Sequence, residues 1–238
     1  MGVVERTMPH LPEIIRDMVR IQLLTGMRPG EICKLRPCDV DRTKDVWEYR
    51  PRSHKTEHHD RSRVVYIGPE AQVVLKPYLL RGKNLSCFSP AESMMAYRQA
   101  KREARLTPLS CGNRPGSNRK SEPKKLPSNQ YDSGSYRRAI HRACDLAFPA
   151  SESLLQKSDE TKTQFLARLT EKQKNELARQ SEQRWAPNQL RHAAATEIRK
   201  KFGLEAAQVI LGHAAADVTQ VYAERDAEKA REVVRQMG

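Results

Sequence analysis

The first forty residues carry apolar positions at the spacing of helices. Pro12 fits the first turn of a helix, and the stripe behind it ends at Thr25-Gly26, where a glycine can close the helix. Pro29 then begins a second, shorter helix that contains Glu31. The apolar members of the first stripe are Ile14, Ile15, Met18, Val19, Ile21 and Leu23.

Two short apolar runs that follow have the composition of β-strands. They cover residues 46–49 and 63–67, and the polar stretch between them suits an antiparallel hairpin or meander. Residues 70–80 have the pattern of another helix. This part of the chain therefore predicts helices packed against one small sheet.

The last fifty residues return to helical spacing. Apolar positions after Pro187 recur up to Gly203, and residues 205–211 form a short helix closed by a glycine. Two more helices are predicted beyond it, one holding Tyr222 and one, amphipathic, over residues 227–237. The whole pattern predicts an α+β fold that is mainly α with a small antiparallel sheet.

Between these ends, residues 82–185 have a different texture and predict a basic polar insertion. Twelve Lys or Arg stand against three acidic residues in the part from 98 to 143, a net charge of +9. Pro, Ser, Asn, Lys and Arg crowd residues 107–135, which predicts an exposed loop. Residues 135–148 look helical, and residues 151–183 predict solvated helices with a capping box at Thr170.

The net charge and the cysteines indicate which kinds of partner and which cellular compartment to expect. The chain has 238 residues, a net charge of +14 and a pI of about 9.8. A surface of this sign gains affinity for phosphates by releasing counterions, so a polyanionic partner is expected. The chain lacks both a run of ~18 apolar residues and a signal peptide, which argues against a membrane protein. The five scattered cysteines favour free thiols in a reducing compartment, the cytoplasm or a bacterial nucleoid.

Four local patterns occur in an order that matters more than any one of them. The first is Leu24-Thr25-Gly26-Met27-Arg28-Pro29-Gly30-Glu31-Ile32, and the second is Lys55, the only lysine of the predicted hairpin region. The third is Pro187-Asn188-Gln189-Leu190-Arg191-His192, which opens a helix. The fourth is Leu211-Gly212-His213, with Tyr222 nine residues further on.

In this order the patterns resemble the tyrosine recombinase (phage integrase) family. The family's first box, T-G-x-R-x-x-E, fits Thr25, Gly26, Arg28 and Glu31. Its second box, H-x-L-R-H, fits Leu190, Arg191 and His192, with Asn188 in place of the first histidine. Its last box, L-G-H with a tyrosine nine residues later, fits Leu211, Gly212, His213 and Tyr222. The resemblance covers about residues 10–80 and 185–235, and it implies one recombinase catalytic domain over residues 1–238.

The resemblance also implies a chemistry, in which a site-specific recombinase or integrase cleaves and rejoins double-stranded DNA. Tyr222 would attack the phosphorus and form a 3′-phosphotyrosyl intermediate. Arg28 and Arg191 would bind the non-bridging oxygens, since a permanently charged guanidinium binds phosphate with two parallel bonds. Lys55 would protonate the leaving 5′-oxygen, and His213 would donate a hydrogen bond to the phosphate. No cofactor and no metal are implied.

The remaining candidate residues support this set. Glu31 is expected to be structural, and His192 is expected to pack beneath the site. Asn188 keeps a hydrogen-bond donor but has no imidazole to move a proton, so an active but slow enzyme is expected. The charge of the insertion is expected to contact the DNA backbone, together with one hairpin histidine. These DNA-binding candidates are Arg114, Arg119, Lys120, Lys124, Lys125 and His54.

Several alternatives remain open at this point. His54, His58 and His59 could suggest a metal site, but no carboxylate pattern accompanies them, and contact with DNA or solvent is expected. Two other functions share the charge and the fold: a DNA-binding relative with weak or no catalysis, and a relaxing enzyme like type IB topoisomerases.

Assembly is a further expectation. Only 27 residues precede Arg28, too few for the separate DNA-binding domain that the family places before its catalytic domain. We therefore expect that domain to be absent and DNA affinity to be weak. The apolar stripe of residues 227–237 is expected to dock on a neighbouring subunit in a DNA-bound homo-tetramer, with the free chain mostly monomeric.

Overall fold

A computed structural model describes residues 2–52, 63–108, 110–111, 122, 126–151, 154–157 and 159–212 of the chain. Its helices are α1 (Gly2–Thr7), α2 (Glu13–Thr25), α3 (Pro29–Lys34), α4 (Pro69–Leu75), α5 (Pro90–Glu103), α6 (Ser133–Ala147), α7 (Lys162–Arg168), α8 (Glu171–Glu182) and α9 (Pro187–Leu211). Its strands are β1 (Val40–Asp41), β2 (Trp47–Tyr49) and β3 (Val65–Ile67). Helix α4 continues into a 3-10 turn at Lys76–Leu79. The predicted fold class, mainly α with a small antiparallel sheet, is confirmed.

Helix α2 occupies the centre of the domain, because one of its faces is apolar at every turn. Ile15, Met18, Val19 and Ile21 are fully buried on this face. The helix packs against α9, α4, α6 and β3, so elements from both ends of the chain meet on it. The core thus brings the N-terminal and C-terminal sequence patterns to one place.

The sheet has the order β1-β2-β3 and is antiparallel throughout. Tyr49 pairs with Val40 on one side and Val65 on the other, and its side chain is buried. The Tyr49 hydroxyl donates a hydrogen bond to the backbone carbonyl of Glu31, at 2.8 Å. The sheet is therefore attached directly to α3.

The stretch predicted as a polar insertion is not uniform. The apolar face of α6, with Tyr136, Ile140 and Ala143, lies in the main core, together with Trp185. In contrast, α5 buries none of its residues, and α7 and α8 form a small cluster of their own around Phe165. A large part of the predicted insertion therefore belongs to the body of the domain. The average composition of this stretch did not reveal the apolar face of α6, because charged residues alternate with its apolar positions.

Helix α9 contains one break, at Gly203. The backbone there has φ 90° and ψ 177°, which no helix allows, so the two segments meet at a kink. This agrees with the helix end predicted at Gly203. No helix in the described part of the chain has both the length and the apolar content to cross a membrane.

Candidate active site

The first sequence box forms a tight turn between α2 and α3. Gly26 ends α2 in the left-handed conformation with φ 65°, and Arg28 is the N-terminal cap of α3. The Glu31 carboxylate accepts hydrogen bonds from the Arg28 backbone N–H at 2.7 Å and from Arg28 Nη1 at 2.9 Å. Glu31 is only 3% exposed, whereas the Arg28 side chain is 22% exposed. Glu31 therefore fixes both the backbone and the side chain of Arg28 while leaving its guanidinium partly accessible.

Arg191, from the second box, is 4% exposed and reaches into the same turn. Its Nη1 donates a hydrogen bond to the Gly26 carbonyl, and its Nη2 donates one to the Leu211 carbonyl, both at 2.7 Å. Charge-assisted hydrogen bonds of this kind are the strong ones in proteins. Arg191 thus joins the turn that carries Arg28 to the last residue of α9.

Close packing at Gly26 makes this junction possible. A Cβ on Gly26 would lie 2.7 Å from the Leu211 Cδ2 atom, and its positive φ is one that other residues rarely adopt. Only glycine therefore allows Leu211 to approach the turn. Residues of the first, second and last boxes meet here, although 165 residues separate Gly26 from Arg191 in the sequence.

Gln22 holds the same two boxes together from beneath and was not predicted as part of the site. Its buried amide donates hydrogen bonds to the carbonyls of Met27 at 3.1 Å and Pro187 at 2.9 Å. The Tyr136 hydroxyl donates one to Gln22 Oε1 at 3.1 Å. The only local signal is an amide on the otherwise apolar face of α2.

Arg63 is a second residue that the sequence did not single out. It is 6% exposed, and its Nε donates to Glu31 Oε1 at 3.4 Å, while its Nη1 donates to the Ile210 carbonyl at 3.2 Å. Burial alone would raise the pKa of Glu31, but the charges of Arg63 and Arg28 and the Arg28 N–H bond hold that pKa below its usual value. The Glu31 carboxylate is therefore ionised between two guanidinium groups. In the sequence Arg63 is simply one of four arginines near the hairpin.

Asn188 and His192 lie on one face at the beginning of α9. Asn188 is exposed, and its Nδ2 is 2.9 Å from His192 Nε2. Burial, followed by the charge of Arg191, lowers the pKa of His192, so a neutral imidazole accepts the Asn188 N–H. His192 is half-buried beside Asn188, because positions four apart in a helix share a face.

The structure thus brings together Arg28, Glu31 and Arg191 of the predicted site, with Asn188 and His192 on the same helix as Arg191. The other predicted site residues lie outside the described residues. These are Lys55, His213, Tyr222, Arg114, Arg119, Lys120, Lys124, Lys125 and His54.

Comparison with solved structures shows the same fold in known recombinases. XerA recombinase matches with a TM-score of 0.53 and 20% identity, over 100% of this chain and 63% of that chain. The integrase of the Tn1549 transposon, in complex with a circular intermediate DNA, matches with a TM-score of 0.50 and 16% identity, over 93% of this chain and 58% of that chain. This chain therefore spans about three fifths of the length of either protein.

No curated protein sequence matches the chain. The sequence model of the phage integrase family, however, matches residues 4–229. This match includes both arginine boxes, the L-G-H box and the helices between them. The chain therefore belongs to the phage integrase family, the tyrosine recombinases.

Proposed function

We propose that this chain cuts and rejoins DNA through a 3′-phosphotyrosyl intermediate at Tyr222. The observation that carries the proposal is the junction of two arginines from distant parts of the chain. Arg191 bonds to the Gly26 carbonyl, two residues before Arg28, and Glu31 orients Arg28. Fixed cations in a protected position stabilise the charge that develops on a phosphate during transfer, often the largest catalytic contribution.

The reaction exchanges one phosphoester bond for another. The Tyr222 oxygen attacks phosphorus, the bond to the 5′-oxygen breaks, and Lys55 gives that oxygen a proton. The phenol proton passes to solvent, from which Lys55 regains one. Arg28, Arg191 and His213 neutralise the non-bridging oxygens. Rejoining is the reverse reaction with the 5′-hydroxyl of another strand, so neither ATP nor a metal takes part.

Contacts with the backbone phosphates are proposed to supply part of the affinity for DNA. The basic segment supplies sequence-independent contacts through Arg114, Arg119, Lys120, Lys124 and Lys125. We further propose that the chain is mostly monomeric when free and forms a tetramer on DNA, with residues 227–237 docked on the next subunit.

Covalent trapping tests the proposal. The chain is incubated with fragmented DNA of its host, denatured with detergent, and filtered so that only protein-linked DNA is retained and sequenced. The recovered sites are then built into nicked suicide duplexes. Wild type should form a detergent-resistant adduct, and Tyr222→Phe should bind the same duplex without forming one.

Other outcomes identify the alternatives. DNA binding by wild type without any adduct would contradict the proposal and favour a non-catalytic DNA-binding relative. An adduct retained in Tyr222→Phe would mean that another residue is the nucleophile. Relaxation of arbitrary supercoiled plasmids by the monomer would instead indicate an enzyme like type IB topoisomerases.

A further inference from the structure

Arg63 is a buried cation that the proposed chemistry does not use. It is 6% exposed and lies two residues before β3, with its guanidinium between α3 and the end of α9. Burying a charge is unfavourable unless hydrogen bonds and counter-charges compensate, so the partners of a buried arginine indicate why it is there.

Its partners lie at the C-terminal end of α9 and in the first box. Arg63 Nη1 donates to the carbonyl of Ile210, and Arg191 Nη2 donates to the next carbonyl, that of Leu211. The last carbonyls of a helix have no partner within the helix and carry its negative end. Two arginines therefore cap neighbouring carbonyls of one helix end, and Arg63 extends the contact to Glu31.

Gly212 is fitted to this arrangement. Its φ is +62°, and a Cβ at this position would lie 2.5 Å from Arg63 Nη1. Two features thus require glycine at this position: the left-handed backbone and the guanidinium packed against it. The chain continues from this contact directly into His213.

The charge balance of the cluster is positive. Arg28 and Arg63 both contact the Glu31 carboxylate, and Arg191 joins the same turn through Gly26. Among the described residues, Nη2 of Arg63 is buried without a hydrogen-bond partner. A phosphodiester anion at Arg28 would therefore lie in the positive field of Arg28 and Arg63.

We propose that Arg63 is a positioning residue of the phosphate site, an inference that rests on the proposed function. Arg63 does not touch the DNA. It ties Glu31, which orients Arg28, to the carbonyl of Ile210, next to the Leu211 carbonyl that Arg191 binds. It thereby sets the distance between the two phosphate-binding arginines, and its charge adds to the field at the phosphate.

The variants to compare are Arg63→Met, Arg63→Lys and a matched control, Arg81→Met. Arg81 has the same kind of partners away from this cluster, since it donates to the Ser86 carbonyl at 2.9 Å and to the Glu92 carboxylate at 2.9 and 3.2 Å. Arg81→Met therefore shows how much stability is lost when a carboxylate-bound arginine is removed away from the phosphate site. Each variant is measured below its own melting temperature.

The first measurement is single-turnover adduct formation at saturating suicide DNA. A misplacement of about 1 Å can cost on the order of 10²-fold in rate, so we expect about that loss in Arg63→Met, a smaller one in Arg63→Lys, and none in Arg81→Met. The loss should persist on DNA with a 5′-bridging sulfur, a leaving group that needs no proton. Rescue by that substrate would overturn the inference, because the defect would then lie in proton donation by Lys55.

A second measurement keeps the inference separate from the proposed function. Sulfate serves as a probe of the phosphate site, and the melting temperature is measured as its concentration is raised. The same titration of Arg28→Ala reports sulfate binding at other sites and is subtracted. We expect the sulfate midpoint to rise about tenfold in Arg63→Met, because a displaced Arg28 loses about one charge-assisted contact with the anion, and to stay unchanged in Arg81→Met. Equal midpoints in both variants would overturn the inference. A wild type that binds sulfate but forms no adduct would refute the proposed function alone.

Discussion

The side-chain amide of Gln22 donates a hydrogen bond to the carbonyl oxygen of Pro187, at 2.9 Å, across 165 residues of sequence. The same amide donates to the Met27 carbonyl, one residue before Arg28. One buried side chain thus joins the turn of the first arginine to the first residue of the helix that carries Arg191. Because α2 holds Gln22 rigidly, the core and not a loop sets the relation between the two boxes.

Gln22→Leu should therefore lower both stability and activity. The substitution leaves the carbonyl of Met27 and the hydroxyl of Tyr136 without this partner in the core and removes the tie to the Pro187 carbonyl. A buried polar group without a partner costs about 1–3 kcal/mol, so we expect the free energy of unfolding in urea to fall by several kcal/mol. Tyr136→Phe, which removes one of the three bonds, should cost about 1 kcal/mol. Equal losses in the two variants would show that Gln22 does not hold the junction.

Gly212→Ala should destabilise the fold, and the effect should depend on Arg63. A left-handed backbone costs about 1–2 kcal/mol for a residue other than glycine. The contact with Arg63 Nη1 adds an overpacking cost of about 1–3 kcal/mol. Urea unfolding of both single variants and of the double variant with Arg63→Ala measures the coupling. We expect Gly212→Ala to cost less once Arg63 is absent, and a cost that is the same in both backgrounds would argue against the contact.

The folded protein should become less stable as the pH is lowered, and His192 should be one cause. Burial, and then the charge of Arg191, lower its pKa in the folded state. The unfolded chain, in which a histidine titrates near ~6.5, then binds the proton more tightly. The contribution of His192 is thus fully present above that pH and is lost as the pH falls through the lowered folded pKa. Unfolding free energies of His192→Gln between about pH 8 and 5 should be less pH-dependent than those of wild type.

His141 provides the control for this experiment. Its pKa is also lowered, by burial and by the charges of Arg184 and Arg137, so it contributes a dependence of the same sign. His141→Gln should remove the part of the pH dependence that His141 contributes. The double variant His141→Gln/His192→Gln should have the unfolding free energy that depends least on pH. A His192→Gln profile parallel to that of wild type would mean that the imidazole is not held neutral in the fold.

Asn188→His should raise the cleavage rate and leave DNA affinity nearly unchanged. Asn188 is exposed at the start of α9, with its amide N–H on His192 Nε2. The proposed phosphate-binding residues Arg28, Arg191 and His213 are unchanged by the substitution, so we expect the affinity to be kept. A positioned general base contributes roughly 10²–10⁴-fold in rate, which sets the upper limit of the gain. Single-turnover cleavage and DNA titration measure the two effects. Slower cleavage in Asn188→His, or complete loss of cleavage in a folded His192→Ala, would mean that the roles in this box are assigned wrongly.

Much of the fold follows from local sequence. The apolar face of α2, the strands at 47–49 and 65–67, the capping box of α8 at Thr170 and the kink at Gly203 all agree with the predictions. These features depend on residues a few positions apart, for which periodicity and capping are sufficient. Strand β1, only two residues long, is too short to show a period, and α5 buries no residue and so has no apolar stripe to detect.

The ordered boxes also determined the family, and with it the proposed roles of Arg28 and Arg191, since each box is a short run of residues with fixed spacing. Sequence could not reveal the roles of Arg63 and Gln22. An arginine near a hairpin and an amide in a helix look the same whether they are exposed or buried. Their partners, Ile210 and Pro187, are 147 and 165 residues away. Only the packing of α2, α3 and α9 decides that these polar groups are buried together, and burial makes their hydrogen bonds strong and their loss costly.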